Sequence, residues 1–226
     1  MDPMATLALA TVVFLATHYV SSTPLRLGLV SVLGDNTYLG LYTAVSLVAL
    51  GWMIWAYSRA PFERLWWADE FKAWAIVFMP VSFVLLACGL LSQSPSAVRQ
   101  EDTLRSLREA RGILRVTRHP VQWSIALWAL LHLVARGDAA SAIFFGGFAL
   151  LSISGTMLID ARKARTIGAD WQRFAATTSN IPFAAIIQGR NRFRFQEIGW
   201  RRVLAGLAIY FVLLFAHPYL FGARPY

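Results

Sequence analysis

Four histidines, His18, His119, His132 and His217, are the residues of this sequence best suited to chemistry. All lie within, or at the ends of, long uncharged runs. An ionisable group at bilayer depth is costly and usually faces a bundle interior, so each is a functional candidate by default. One imidazole near a helix end could merely bond a carbonyl. Four, in a chain with few other polar groups inside its apolar runs, favour ligation of a metal or of haem iron, for which neutral imidazole is a good ligand. The lone cysteine, Cys88, sits in an apolar run and excludes both a disulfide framework and a cysteine-based zinc site. No Gly-rich phosphate loop, G-x-S-x-G, H-E-x-x-H or sustained repeat is present.

The elements that must position these histidines follow from hydropathy. Hydrophobic residues make up 57% of the 226 and charged residues only 15%, whereas soluble domains carry roughly 45–50% and about 25%. Uncharged stretches run from Pro3 to Pro24 (broken only by His18), Asn36 to Ser58, Ala73 to Val98, Pro120 to Ala135, Ala139 to Ile159 and Val203 to Gly222. A span needs roughly 20 residues. Only the fourth stretch, at 16 residues, falls short, and Arg118 and Arg136 can snorkel from its ends to the interfaces. The expectation is an all-α, polytopic membrane helical bundle of about six transmembrane helices, one domain over residues 1–226. Asp2 replaces the basic start of a signal peptide, so the first span is expected to be retained.

Charge gives orientation. Sixteen Lys and Arg follow spans one, three and five, against five on the other side. The positive-inside rule therefore predicts a multi-pass protein of the cell inner membrane with both termini extracytoplasmic. The formal charge of +9 falls in short segments between apolar runs, a pattern suited to anionic lipid headgroups and not to nucleic acid. Glu101–Arg115 and Ala164–Phe174 read as interfacial amphipathic helices, either lying on the cytoplasmic leaflet or flooring a cavity. Their apolar faces carry Leu104, Leu107 and Leu114, and Ile167, Trp171 and Phe174.

Pro120 suits a first helical position, which puts His119 at a helix entry. His132, thirteen residues on, is then roughly 20 Å away, so the two cannot share an iron. On this topology His18 and His119 lie toward the cytoplasmic face and His132 and His217 toward the outer face. Depth alone favours one or both of those pairs.

Several stretches carry a family resemblance: Thr17-His18 through Pro24-Leu25-Arg26, Gly34-Asp35 through Leu41, and Arg115-Val116-Thr117-Arg118-His119-Pro120. They continue with Leu127 through His132, Ile181-Pro182-Phe183 through Ile187 with Gly189-Arg190, and Ala216-His217-Pro218. In these the chain resembles the NnrU membrane proteins and the related 15-cis-zeta-carotene isomerases. The resemblance implies haem b and a redox-dependent cis–trans isomerisation of a lipophilic polyene, or a factor linked to denitrification. Carried over by motif, the haem ligands fall on His18 and His132, whereas depth pairs His18 with His119. The plant enzymes have a cysteine where this chain has Ala129. Arg118 is placed to contact a haem propionate or a lipid phosphate.

Arg118-His119-Pro120 and Ile181-Pro182-Phe183 also resemble S-adenosylmethionine-dependent membrane methyltransferases of isoprenylcysteine or phospholipid. Those continue the first motif with an aromatic residue and a glycine, where this chain has Gln122 and Ser124. Their cofactor side carries paired acids and tyrosines, where Asp160, Trp171 and Phe174 stand here. The departures fit shared ancestry with that activity lost. A non-enzymatic respiratory accessory protein is a third alternative.

Overall fold

The computed structural model describes residues 1–23, 25–97, 100 and 110–225. In chain order the helices are α1 (Pro3–Val20), α2 (Leu25–Leu33), α3 (Asp35–Arg59), α4 (Asp69–Leu90), α5 (Pro120–Arg136), α6 (Ala139–Ile167), α7 (Ala169–Thr177), α8 (Ala184–Ile187), α9 (Phe195–Ile198) and α10 (Trp200–Phe221), with a 3-10 turn at Gly112–Arg115 before α5. In hydrocarbon every backbone donor and acceptor must be satisfied within the segment, and a helix does this. Among the described residues five helices, α1, α3, α4, α6 and α10, are long and apolar enough to cross a membrane. The short fourth stretch forms α5, with 17 residues, and it packs between α4 and α6. Ser82 Oγ donates to the Ser124 carbonyl at 2.8 Å on one side, and His132 stacks on Phe145 on the other.

Helix boundaries follow capping chemistry. Asp2 accepts from the Ala5 amide at 2.8 Å ahead of Pro3, and Asp138 accepts from the Ser141 amide at 2.9 Å. Between α5 and α6 the chain turns at Gly137, φ +68°, where a Cβ would lie 2.6 Å from the Trp66 carbonyl oxygen. The segment before α4 seals this turn: the Leu65 amide donates to the Gly137 carbonyl at 2.8 Å, and Trp66 Nε1 to the Val134 carbonyl at 3.1 Å.

Small residues let the helices approach closely, as expected where lipid removes the hydrophobic drive for association. A Cβ on Gly147 would meet Thr11 Cγ2 at 2.6 Å, where α1 crosses α6. On Gly206 it would lie 2.7 Å from both Phe83 O and Val84 Cα, where α10 crosses α4. Within α4, Pro80 has no N–H and so frees the Ile76 carbonyl. Tyr210 of α10 donates to that carbonyl at 3.0 Å. The main core joins Leu7, Ala10 and Phe14 of α1, Met53 and Ala56 of α3, Ala129 of α5, and Phe144 and Phe145 of α6. Outward faces stay apolar, Val48, Val77 and Phe215 among them.

The expected amphipathic helix over Glu101–Arg115 falls largely on residues 101–109, outside the described residues; its end is the 3-10 turn. The second, Ala164–Phe174, is divided at Gly168 between α6 and α7. Its apolar stripe is covered by protein: Trp171 and Phe174 are buried against Ala110 and Leu114.

Candidate functional site

Pairings across the bundle put the histidines at two ends. Ser82 faces Ser124 and Met79 faces Leu131, so α4 and α5 are antiparallel. Trp128 faces Phe148 and His132 faces Phe145, so α5 and α6 are antiparallel too. His119 begins α5 at one end, which His18 shares near the close of α1. His132 and His217 lie at the other.

The His119 end is built by two backbone bonds that tie the motifs together. The Arg118 amide donates to the Ser179 carbonyl at 3.0 Å, and the Phe183 amide to the Val116 carbonyl at 2.8 Å. Phe183 sits at φ +64°, the one non-glycine in the left-handed region among the described residues, so Ile181-Pro182-Phe183 turns back beneath the 3-10 segment. His119 is the N-cap of α5, with Pro120 opening the helix as its sequence position suggests. Its imidazole is fully buried, and Nε2 meets Asp160 Oδ1 of α6 at 2.7 Å. Arg118 grips the same carboxylate with Nε at 2.8 Å and with Nη2. Asn180 Nδ2 reaches Oδ2 at 3.4 Å and Thr156 Oγ1 at 2.9 Å. The Asn180 carbonyl in turn accepts from Thr117 Oγ1 at 2.6 Å and Trp123 Nε1 at 2.8 Å. Burial pushes the His119 imidazole below its ordinary pKa against the opposing pull of Asp160, so its neutral form donates Nε2–H to the carboxylate. Nδ1 is buried with no hydrogen-bond partner among the described residues. Asp160 is the member that histidine-centred reasoning missed as a partner. Its signal was positional: an acid ending a charge-free window on the same side as Arg118 and His119.

The other three histidines share a different arrangement. Nδ1 of His18 lies 2.8 Å from the Phe14 carbonyl, Nδ1 of His132 2.9 Å from Trp128 O, and Nδ1 of His217 2.8 Å from Ala223 O. A carbonyl only accepts, so Nδ1 carries the proton in each and Nε2 bears the lone pair, the tautomer that metal sites use. His132 and His217 are brought together, with ring centroids 6.4 Å apart and planes 17° from parallel. Around them stand Trp128, Phe145 and Phe221. His18 contacts Phe14 and Tyr42. A file of rings, Phe14, Phe148 and Trp128, runs from its side toward His132. Arg118 is engaged by Asp160. No group of three or more His, Cys, Asp or Glu with metal-binding geometry occurs among the described residues.

These features define a polytopic, all-helical membrane protein with its imidazoles sorted to the two ends of one bundle. The family model for the NnrU protein matches residues 6–225, and the chain belongs to that family. It is similar to the 15-cis-zeta-carotene isomerase of Arabidopsis thaliana chloroplasts, 34% identical over 115 residues, 50% of this chain and 31% of that protein. To the chloroplast enzyme of the same name from Zea mays it is 32% identical over 81 residues, 36% of this chain and 22% of that protein. Each match thus spans less than a third of the curated relative. No solved structure matches significantly.

Proposed function

We propose that this chain is a haem b-binding isomerase of the cell inner membrane that acts on a double bond of a lipophilic polyene. The observation that carries this reading is the shared tautomer of His18, His132 and His217, each with Nδ1 tied to a carbonyl and Nε2 left over. Among described residues inside the bundle, little else can coordinate iron: Cys88 is buried on α4 in a separate cluster with Ile113 and Val116. When bound, haem would supply a redox-switchable Lewis acid toward the polyene. The residues of this chain would hold that group, orient the imidazole rings through backbone carbonyls and exclude water with Trp128, Phe145 and Phe148. The family resemblance supports His18 and His132 as the ligands, and the isomerase names of the relatives support the reaction class. The charge bias supports extracytoplasmic termini, with the His119 end toward the cytoplasm.

The deciding measurement is the absorption spectrum of the purified protein, oxidised and reduced. A Soret band with sharp reduced bands supports the reading. A protein with no such band that binds S-adenosylmethionine in a calorimeter would replace it with methyl transfer.

A further inference from the structure

We infer that residues 181–201 form a membrane-docking surface whose partner is the layer of anionic headgroups in the leaflet at the His119 end. The segment has two faces. Inward, Ala185 and Ile198 are buried, Ile198 in the cluster with Ile113 and Val116, and the Asn191 side-chain amide donates to the Arg115 carbonyl at 3.2 Å. Phe183 and Phe193 join its two arms, with ring centroids 6.3 Å apart. Outward, Ile187, Phe193, Phe195 and Trp200 are all exposed, Ile187 at 83%. Arg192, Arg194 and Arg201 are exposed beside them. The segment has one acid, Glu197, and Arg115 already engages it. Exposed apolar and aromatic side chains interleaved with arginines, and with no uncommitted acid, are the composition that settles at an anionic headgroup layer.

Its place in the fold selects lipid over an acidic protein from solution. Gly199 alone separates α9 from α10, and α10 is long and apolar enough to cross a membrane. The four residues of α9 rise only about 6 Å, so Phe195 stays near the level at which Trp200 opens the span. There the Arg201 guanidinium lies 5.5 Å over the Trp200 ring, at the boundary where aromatic belts and basic side chains gather. Residues 164–174, whose periodicity suggests the same role, have their apolar stripe covered by protein; in residues 181–201 the apolar side chains face outward. The docking does not depend on haem.

The test uses the full chain in lipid nanodiscs, with Phe195→Cys carrying a fluorophore on a Cys88→Ala background. Two quenchers report where the fluorophore sits: a nitroxide on a lipid headgroup, and acrylamide in the water. Discs are made of phosphatidylcholine alone or with phosphatidylglycerol. The headgroup nitroxide is expected to quench in both, about twofold more strongly with phosphatidylglycerol, and acrylamide correspondingly less. Arg192→Gln combined with Arg201→Gln is expected to abolish the phosphatidylglycerol increment. Ile187→Cys gives the same reading from the other arm should Phe195→Cys fail to fold. A fluorophore that acrylamide reaches freely and the nitroxide does not, in phosphatidylglycerol discs, overturns the docking and leaves the face to a soluble partner. An increment that is missing, or that survives loss of both arginines, overturns the recognition of anionic headgroups.

Discussion

Removing the Asp160 carboxylate would strand two basic groups at once, because Arg118 and the fully buried His119 both spend their hydrogen bonds on it. Breaking a buried pair by deleting one partner costs about 3–5 kcal/mol. Asp160→Ala is therefore expected to lower the thermal midpoint in detergent by several degrees, and Asp160→Asn less, since an amide oxygen still accepts. In a double-mutant cycle with His119→Ala the losses should fall short of additive; full additivity would show that the two do not act together. The Arg115 clasp behaves differently with pH. Arg115 donates to Glu197 with Nε at 2.8 Å and Nη2 at 3.2 Å, and the Gly112 amide adds 3.1 Å. Hydrogen bonding from Arg115, then from that amide, holds the Glu197 carboxyl down to about 2 from an ordinary 4.5. A lowered folded value means the stabilisation is complete above the ordinary value and fades as pH falls toward about 2. The difference in midpoint between wild type and Glu197→Gln should shrink across that window and be constant above it. At this scale the histidines were legible because ionisable residues stand out in apolar runs. Their partners were not: Asp160, Asn180 and Glu197 come from segments 20 to 82 residues away from the groups they bind.

Helix positions were legible for the same reason that the partners were hidden. A charge-free window is a local property, and it located the six long helices found among the described residues. It overran where apolar residues continue without helix: the third window reaches Val98, whereas α4 stops at Leu90. Packing between helices left little trace in hydropathy, since Gly206 and Pro80 matter only through what faces them. Gly206→Val should force α10 off α4, because its Cβ would already lie 2.7 Å from backbone atoms that cannot yield. Tyr210→Phe removes the donor to the Ile76 carbonyl and should cost about 1 kcal/mol. Both are checked by unfolding in mild detergent, with Gly206→Val the more severe. An unaffected Gly206→Val protein would mean that the crossing is looser than the structure has it.

On the scale of the whole molecule, the uneven distribution of Lys and Arg predicts that the His119 end faces the cytoplasm. Reporter fusions after Gln188, in the turn following α8, should report as cytoplasmic, and fusions beyond Gly222 as extracytoplasmic. Cytoplasmic activity at the C-terminal fusion would overturn the orientation, and an even number of membrane crossings with it. The amphipathic segment Ala164–Phe174 shows where a whole-molecule view corrects a local one. Its stripe of Ile167, Trp171 and Phe174 has the periodicity of a membrane-lying helix, yet Ala110 and Leu114 cover it. Periodicity reports that a face will be buried, not what will bury it.

The Tyr210 bond to the Ile76 carbonyl also has a consequence for biosynthesis. The ribosome delivers α4, with its acceptor exposed at Pro80, long before it delivers the hydroxyl that satisfies it, 134 residues later. Until α10 enters the bilayer, the early helices carry an open polar group that a quality-control protease or a chaperone could read as unfinished. Chains stalled before residue 200 should then be inserted and yet turn over faster in pulse-chase labelling than the full-length protein.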